Sequence, residues 1–202
     1  MAVAINGSGT VTGISVGGLP DGIVDADMIA ADAVTAAKIG SKTFTSYAII
    51  ADVKASNANG GTFTSGDWRT RDLNTEISDE DGMVSISSNQ FTLAAGSYLI
   101  IFTAPAMRVG GNQTRLYNAT TSAEVQRGQL AFSSTNSVSS ADKSTGYARV
   151  VISGSTVFEI QHRGFDTEAT FGFGAGTAGG VDWSASGTNG CIYTTVEIYK
   201  EA

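Results

Sequence analysis

The chain has 202 residues, 42% of them apolar and 15% charged, with 25 glycines and only 2 prolines. Its net charge of −7 works against nucleic-acid binding, which needs clustered Lys and Arg to meet phosphates. No apolar run approaches the roughly 20 residues of a spanning helix, so membrane insertion is not expected.

Met1–Gly7 has neither a basic stretch nor a long apolar one and does not read as a secretory signal. Residues 1–42 contain no aromatic residue and carry the turn Leu19-Pro20-Asp21-Gly22. Asp25, Asp27 and Asp32 are capping residues and Gly40 a stop, so short helical turns are one option there. Leu19, Ile23, Met28, Ile29, Val34 and Ile39 are too little apolar mass to bury this segment against the chain's own core. They are therefore read as anchoring residues, ordered against copies of the chain or against another protein. Gly13-Ile14-Ser15-Val16-Gly17 spells a nucleophile elbow, but no strand-to-helix context surrounds it. It reads as arm.

From Thr43 onward the pattern is strand and turn. Tyr47–Val53 forms a first strand. Asp67–Leu73 alternates, with Trp68 on one side and Arg69 and Arg71 on the other. Ser78-Asp79-Glu80-Asp81-Gly82 is an acidic turn; it lacks the spaced acids and final Glu of a calcium loop, which leaves weak calcium binding a minor alternative. Met83–Ser87 follows as a strand. Gln90–Leu93 and Ser97–Phe102 read as a hairpin through Ala95-Gly96. In its second strand Tyr98, Ile100 and Phe102 face one way, and Leu99 and Ile101 the other. A strand apolar on both sides is covered on both sides, by a sandwich, by a neighbouring subunit, or by both.

Thr114–Asn118 is a short strand. Tyr147–Ile152 and Thr156–Arg163 read as a second hairpin through Ser153-Gly154-Ser155. Cys191–Tyr199 closes the chain with strict alternation. Residues 108–113, 132–144, 164–170 and 172–190 read as long surface loops. About ten short strands between turn signals indicate an all-β antiparallel sandwich of jelly-roll topology. The expected division is an extended arm, 1–42, and a jelly roll, 43–202.

Few residues here carry chemistry. His162, the single histidine, alternates in register with Phe158 and Ile160 and reads as a hydrogen-bonded core residue. Cys191, the single cysteine, reads as a small buried hydrophobe; it rules out an internal disulfide and fits synthesis in a reducing compartment. One His and one Cys cannot assemble a zinc site within one chain. Gly174–Gly179 has the dinucleotide-fingerprint spacing, but a loop follows instead of a helix. No spacing singles out a pair of carboxylates for glycoside hydrolysis. No catalytic residue, metal or cofactor is expected, and no enzyme. Asp182 and Trp183, amid glycine and serine, and Phe165, beside Asp166, are candidate receptor-contacting residues; the alternative is that these rings plug the end of the sandwich.

The segments Ser88–Ile100, Thr114–Asn118, Val157–Arg163 and Val196–Lys200 resemble the C-terminal domain of bacteriophage tail-fibre and related virion proteins. That domain is similar to the tumour-necrosis-factor and complement globular-head jelly rolls, which are trimers. Val16–Ile29, continuing through Ala33–Ile39, resembles the spacer of fibre proteins of marine and cyanobacterial phages. The resemblance implies a homotrimer, with Tyr98, Leu99, Tyr193 and Tyr199 as candidate interface residues. It supplies no catalytic residues. It implies a virion protein made in the host cytoplasm: a short tail fibre whose arm anchors to other virion proteins and whose loops meet a host glycan or protein. The alternatives are a capsid-decorating or head-fibre trimer and, more distantly, a glycan-degrading enzyme.

Overall fold

The computed structural model describes residues 44–135, 141–176 and 190–202. The chain divides into two units, Met1–Lys42 and Thr43–Ala202, and every described residue belongs to the second. Leu19, Ile23, Met28, Ile29, Val34 and Ile39 lie outside the described residues, as do Asp182 and Trp183.

All the described regular structure is strand: β1 (Phe44–Lys54), β2 (Arg69–Thr70), β3 (Thr75–Ser78), β4 (Val84–Ser87), β5 (Gln90–Leu93), β6 (Gly96–Met107), β7 (Gly110–Asn118), β8 (Ala123–Ser133), β9 (Ala141–Ile152), β10 (Thr156–Gly164) and β11 (Cys191–Glu201). They form two antiparallel sheets, ordered β3-β1-β11-β6-β9 and β4-β5-β10-β7-β8, with β2 paired to β10. The fold is an all-β jelly roll.

Alternation builds the core. Ile50 from β1, Tyr98, Ile100 and Phe102 from β6, and Val196 and Ile198 from β11 turn inward from the first sheet. Phe91 and Leu93 from β5, Leu116 from β7, and Phe158 and Ile160 from β10 meet them from the second. Phe91 stacks on Phe158 with ring centroids 5.6 Å apart. Phe102 lies across its register partner Gly146, where a Cβ would come within 2.0 Å of the ring, so only glycine fits. Phe63, Ala106 and Val109, with Phe173, form a separate cluster.

Both expected hairpins are corners of the sandwich instead. β5 pairs with β4 and β10, whereas β6 pairs with β9 and β11, so the chain changes sheets at Ala94-Ala95. It changes again between β9 and β10. A strand–turn–strand pattern looks the same whether the second strand returns beside the first or crosses to the facing sheet. The true two-residue hairpin is β4–β5, whose turn residues Ser88 and Asn89 have φ of 54° and 63°. Residues 108–113 are mostly strand, and the expected 132–144 loop is strand at both ends, through Ser133 of β8 and from Ala141 of β9. The predicted strand over Asp67–Leu73 shortens to Arg69–Thr70.

Candidate functional site

Paired residues in an antiparallel sheet share a face. On the outer face of the first sheet, Tyr47, Tyr199, Leu99 and Arg149 form one cross-strand row. Ile49, Glu197, Ile101 and Tyr147 form the next, and Thr195, Thr103 and Thr145 a third. Tyr47 is 49% exposed, Tyr147 58% and Val151 68%. Two of the acidic groups on this face are held by neighbours, and Lys143 stands exposed at one end of it. Arg149 makes a two-pronged contact with Glu201, at 2.8 and 2.6 Å, and the Tyr199 hydroxyl donates to Glu197 at 2.8 Å. Between these polar groups stand the apolar side chains of Tyr47, Leu99, Ile101, Tyr147, Val151 and Tyr199.

Leu99 and Tyr199, two of the expected interface residues, stand side by side on this face. Tyr98 and Tyr193 do not. Tyr98 is 1% exposed, with its ring in the core and its hydroxyl donating to the Ala94 carbonyl at 3.0 Å. Alternation forces this, because residue 98 must face away from residue 99. Tyr193 is buried where the Gly174 and Ala58 backbones cover the end of β11, and its hydroxyl donates to the Ala58 carbonyl. Neither ring is open to a second copy. Cys191 is half-buried and not part of the core.

The opposite sheet carries a different surface. Arg163 pairs with Gln113 and Gln113 with Leu130, while the next row holds Gln161, Arg115 and Arg127. Arg115 lies 4.2 Å over the Trp68 ring and donates to Gln161 at 2.7 Å. Glu124 accepts from Arg115 at 3.1 Å and from Arg127 at 2.8 Å, and these two guanidinium groups hold its carboxyl below the usual range, Arg127 contributing most. Trp68, Gly111, Gln113, Arg127, Arg163 and Phe165 line a groove of about 400 Å³ here. Phe165, an expected receptor-contacting residue, is 78% exposed at its rim. Its neighbour Asp166 does not line the groove.

A polar network is buried under the first sheet. Arg71 is wholly buried, donating to Thr194 Oγ1 at 2.9 Å and to the Phe173 carbonyl at 2.8 Å. Burial lowers its pKa to about 9, against the opposing charges of Asp52 and Asp72. Burial likewise raises the Asp52 carboxyl, although Lys54 lies 3.2 Å away. His162 is in the core as alternation predicts, its Nε2 2.9 Å from Asn112 Oδ1. No group of three or more His, Cys, Asp or Glu side chains suited to a metal occurs among the described residues. In the acidic turn both Asp79 carboxylate oxygens accept backbone N–H groups, from Met83 at 2.8 Å and Val84 at 2.9 Å. That carboxylate organises the turn.

Among solved structures, the Eiger TNF of S. frugiperda superposes with a TM-score of 0.51 at 10% identity, covering 80% of this chain and 94% of that one. The fold is a tumour-necrosis-factor-like jelly roll. The PRD1 vertex protein gives a TM-score of 0.46 at 13% identity, covering 80% of this chain and all (100%) of that one. The globular domain of zebrafish complement 1qA gives 0.44 at 17% identity, covering 76% and 95%. No protein-family model matches the chain, and no curated protein matches it. Within this jelly roll the apolar face and the cationic groove lie on opposite sheets.

Sequence reasoning missed the groove. Its residues come from a loop, two strands and a strand end that are far apart in the chain, and β8 was not predicted. The one groove residue singled out from sequence was Phe165, as an aromatic in a loop beside Asp166.

Proposed function

We propose that this protein is a structural component of a bacteriophage virion, a short trimeric tail fibre with no catalytic role. In this reading three jelly rolls associate through the outer face of the β3-β1-β11-β6-β9 sheet. The segment 1–42 anchors the trimer to other virion proteins, and the loops and outer sheet are turned to the host surface. The observation that carries the reading is the apolar outer face, with Tyr47, Leu99, Ile101, Tyr147, Val151 and Tyr199 across four neighbouring strands. A contiguous apolar surface of this kind is a site of association, and closed ring symmetry terminates it at a small number of copies. The sequence resemblance to phage fibre proteins supports both the copy number and the setting.

Native mass spectrometry of the full chain tests the assembly. A trimer is expected, and Leu99→Glu and Ile101→Glu are expected to shift it to monomer by placing unpaired charge in the contact. A wild-type monomer at micromolar concentration overturns the reading. Antibody-gold labelling of intact particles tests the setting: label on the tail is expected, and label spread over the capsid shell replaces the fibre by a decoration protein.

A further inference from the structure

We propose that the groove lined by Trp68, Gly111, Gln113, Arg127, Arg163 and Phe165 binds an acidic saccharide, one bearing carboxylate or sulfate. The inference deepens the host-contact reading above and rests on it.

Three observations converge on this ligand. The first is charge. The chain has 19 acidic and 12 basic residues, yet no Asp or Glu among the described residues lines the groove, whereas Arg127 and Arg163 do. Glu124 accepts from both Arg115 and Arg127, and Arg115 is linked through Gln161 to Glu159 on the same face, so the groove cation left without a partner among the described residues is Arg163. The Arg163 side chain is exposed and makes no hydrogen bond or ion pair to the described residues. A guanidinium offers a planar fork that matches carboxylate and sulfate oxygens in pairs.

The second is shape. A Cβ built on Gly111 would meet nothing within 4 Å, so the floor of the groove is open at the start of β7. Its volume of about 400 Å³ suits a ligand of one to three sugar rings.

The third is the pairing of ring and amide. Phe165 stands 78% exposed beside the cations, a flat apolar surface for the C–H face of a pyranose. Gln113 donates to the Gly128 carbonyl at 2.9 Å, which fixes the amide and leaves its oxygen free to accept a sugar hydroxyl. A carboxylate for the arginines, a C–H face for the ring and hydroxyls for the amide occur together in a uronate or a sulfated sugar. A nucleic acid is disfavoured, since its dense phosphates would meet the field of a chain with net charge −7.

The test is calorimetric titration of the full chain at low ionic strength with four probes: an alginate hexamer, a sulfated dextran oligomer, an uncharged dextran oligomer and hexaglutamate. Alginate, sulfated dextran, or both are expected to bind, with uncharged dextran and hexaglutamate weaker by roughly tenfold or more. The two anionic arms separate carboxylate from sulfate recognition. Arg163→Gln, Phe165→Ala and Gly111→Leu are each expected to weaken binding roughly tenfold, with trimer mass and unfolding midpoint retained. Failure of both acidic saccharides to bind overturns the proposal, as does binding that all three variants leave unchanged. Preferential binding of hexaglutamate also overturns it, in favour of an acidic peptide. Adsorption to cells of the producing host separates the two levels of inference. Cells bound by a chain that takes neither acidic saccharide in the titration overturn the groove and leave the host-contact reading standing. Saccharide bound without cell adsorption overturns the host-contact reading and leaves the groove.

Discussion

His162, Phe63, Phe173 and Arg71 form a run of contacting groups: His162 meets Phe63 edge-to-face at 5.2 Å, Phe63 meets Phe173 edge-to-face at 5.0 Å, and the Arg71 guanidinium lies 4.0 Å over Phe173. Asn112 donates its amide to the Gly110 carbonyl at 3.1 Å, which turns its oxygen toward His162 and assigns the proton to Nε2. Nδ1 is buried without a hydrogen-bond partner among the described residues, so an added proton there would find no acceptor. Burial, then the nearby Arg71 charge, push the imidazole well below its ordinary 6.5. The folded protein therefore refuses a proton that the unfolded chain accepts. Stability is expected to be flat above about pH 7.5 and to fall as the pH drops through the unfolded histidine value. Urea unfolding across that range measures the slope, and His162→Gln is expected to flatten it.

At the scale of elements, the β4–β5 hairpin shows how one turn residue joins two parts of the chain. Asn89 holds a left-handed φ of 63°, accepts from the Leu73 backbone N–H at 3.3 Å and donates to Asp72 at 3.2 Å. Asn89→Ala gives up these bonds and strains the backbone, and is expected to cost about 2 kcal/mol in urea unfolding. Asn89→Gly keeps the turn and loses only the bonds, at about 1 kcal/mol. β8 is an edge strand, with Leu130 79% and Phe132 68% exposed. A strand with its large apolar residues outward does not show the usual polar-out pattern, which is why alternation failed to reveal it. Gly128 within it is required by close approach, since a Cβ would lie 2.4 Å from the Thr114 hydroxyl.

For the whole molecule, the outer face of the first sheet carries the large apolar side chains Tyr47, Leu99, Ile101, Tyr147, Val151 and Tyr199, and the second sheet carries the groove with Arg127 and Arg163. If the apolar face closes a trimer, folding and assembly are linked through mass action. The thermal midpoint of the wild type is then expected to rise by a few degrees for a tenfold increase in protein concentration, and that of Leu99→Glu to stay constant, as differential scanning calorimetry would show.

Alternation along each strand is a local property, and it was legible without coordinates. It separated Tyr98, Ile100 and Phe102 from Leu99 and Ile101, placed His162 with Phe158 and Ile160, and identified an all-β sandwich. Which strands become neighbours is a non-local choice, settled by how two sheets pack over one core; no short-range pattern distinguishes a hairpin from a corner at Ala94-Ala95 or Ser153–Ser155. Tertiary structure alone therefore decided which of Tyr98 and Leu99 is interior, that Tyr193 is buried, that Leu99 and Tyr199 share a face with Tyr147, and that Trp68, Arg127, Arg163 and Phe165 meet around one groove.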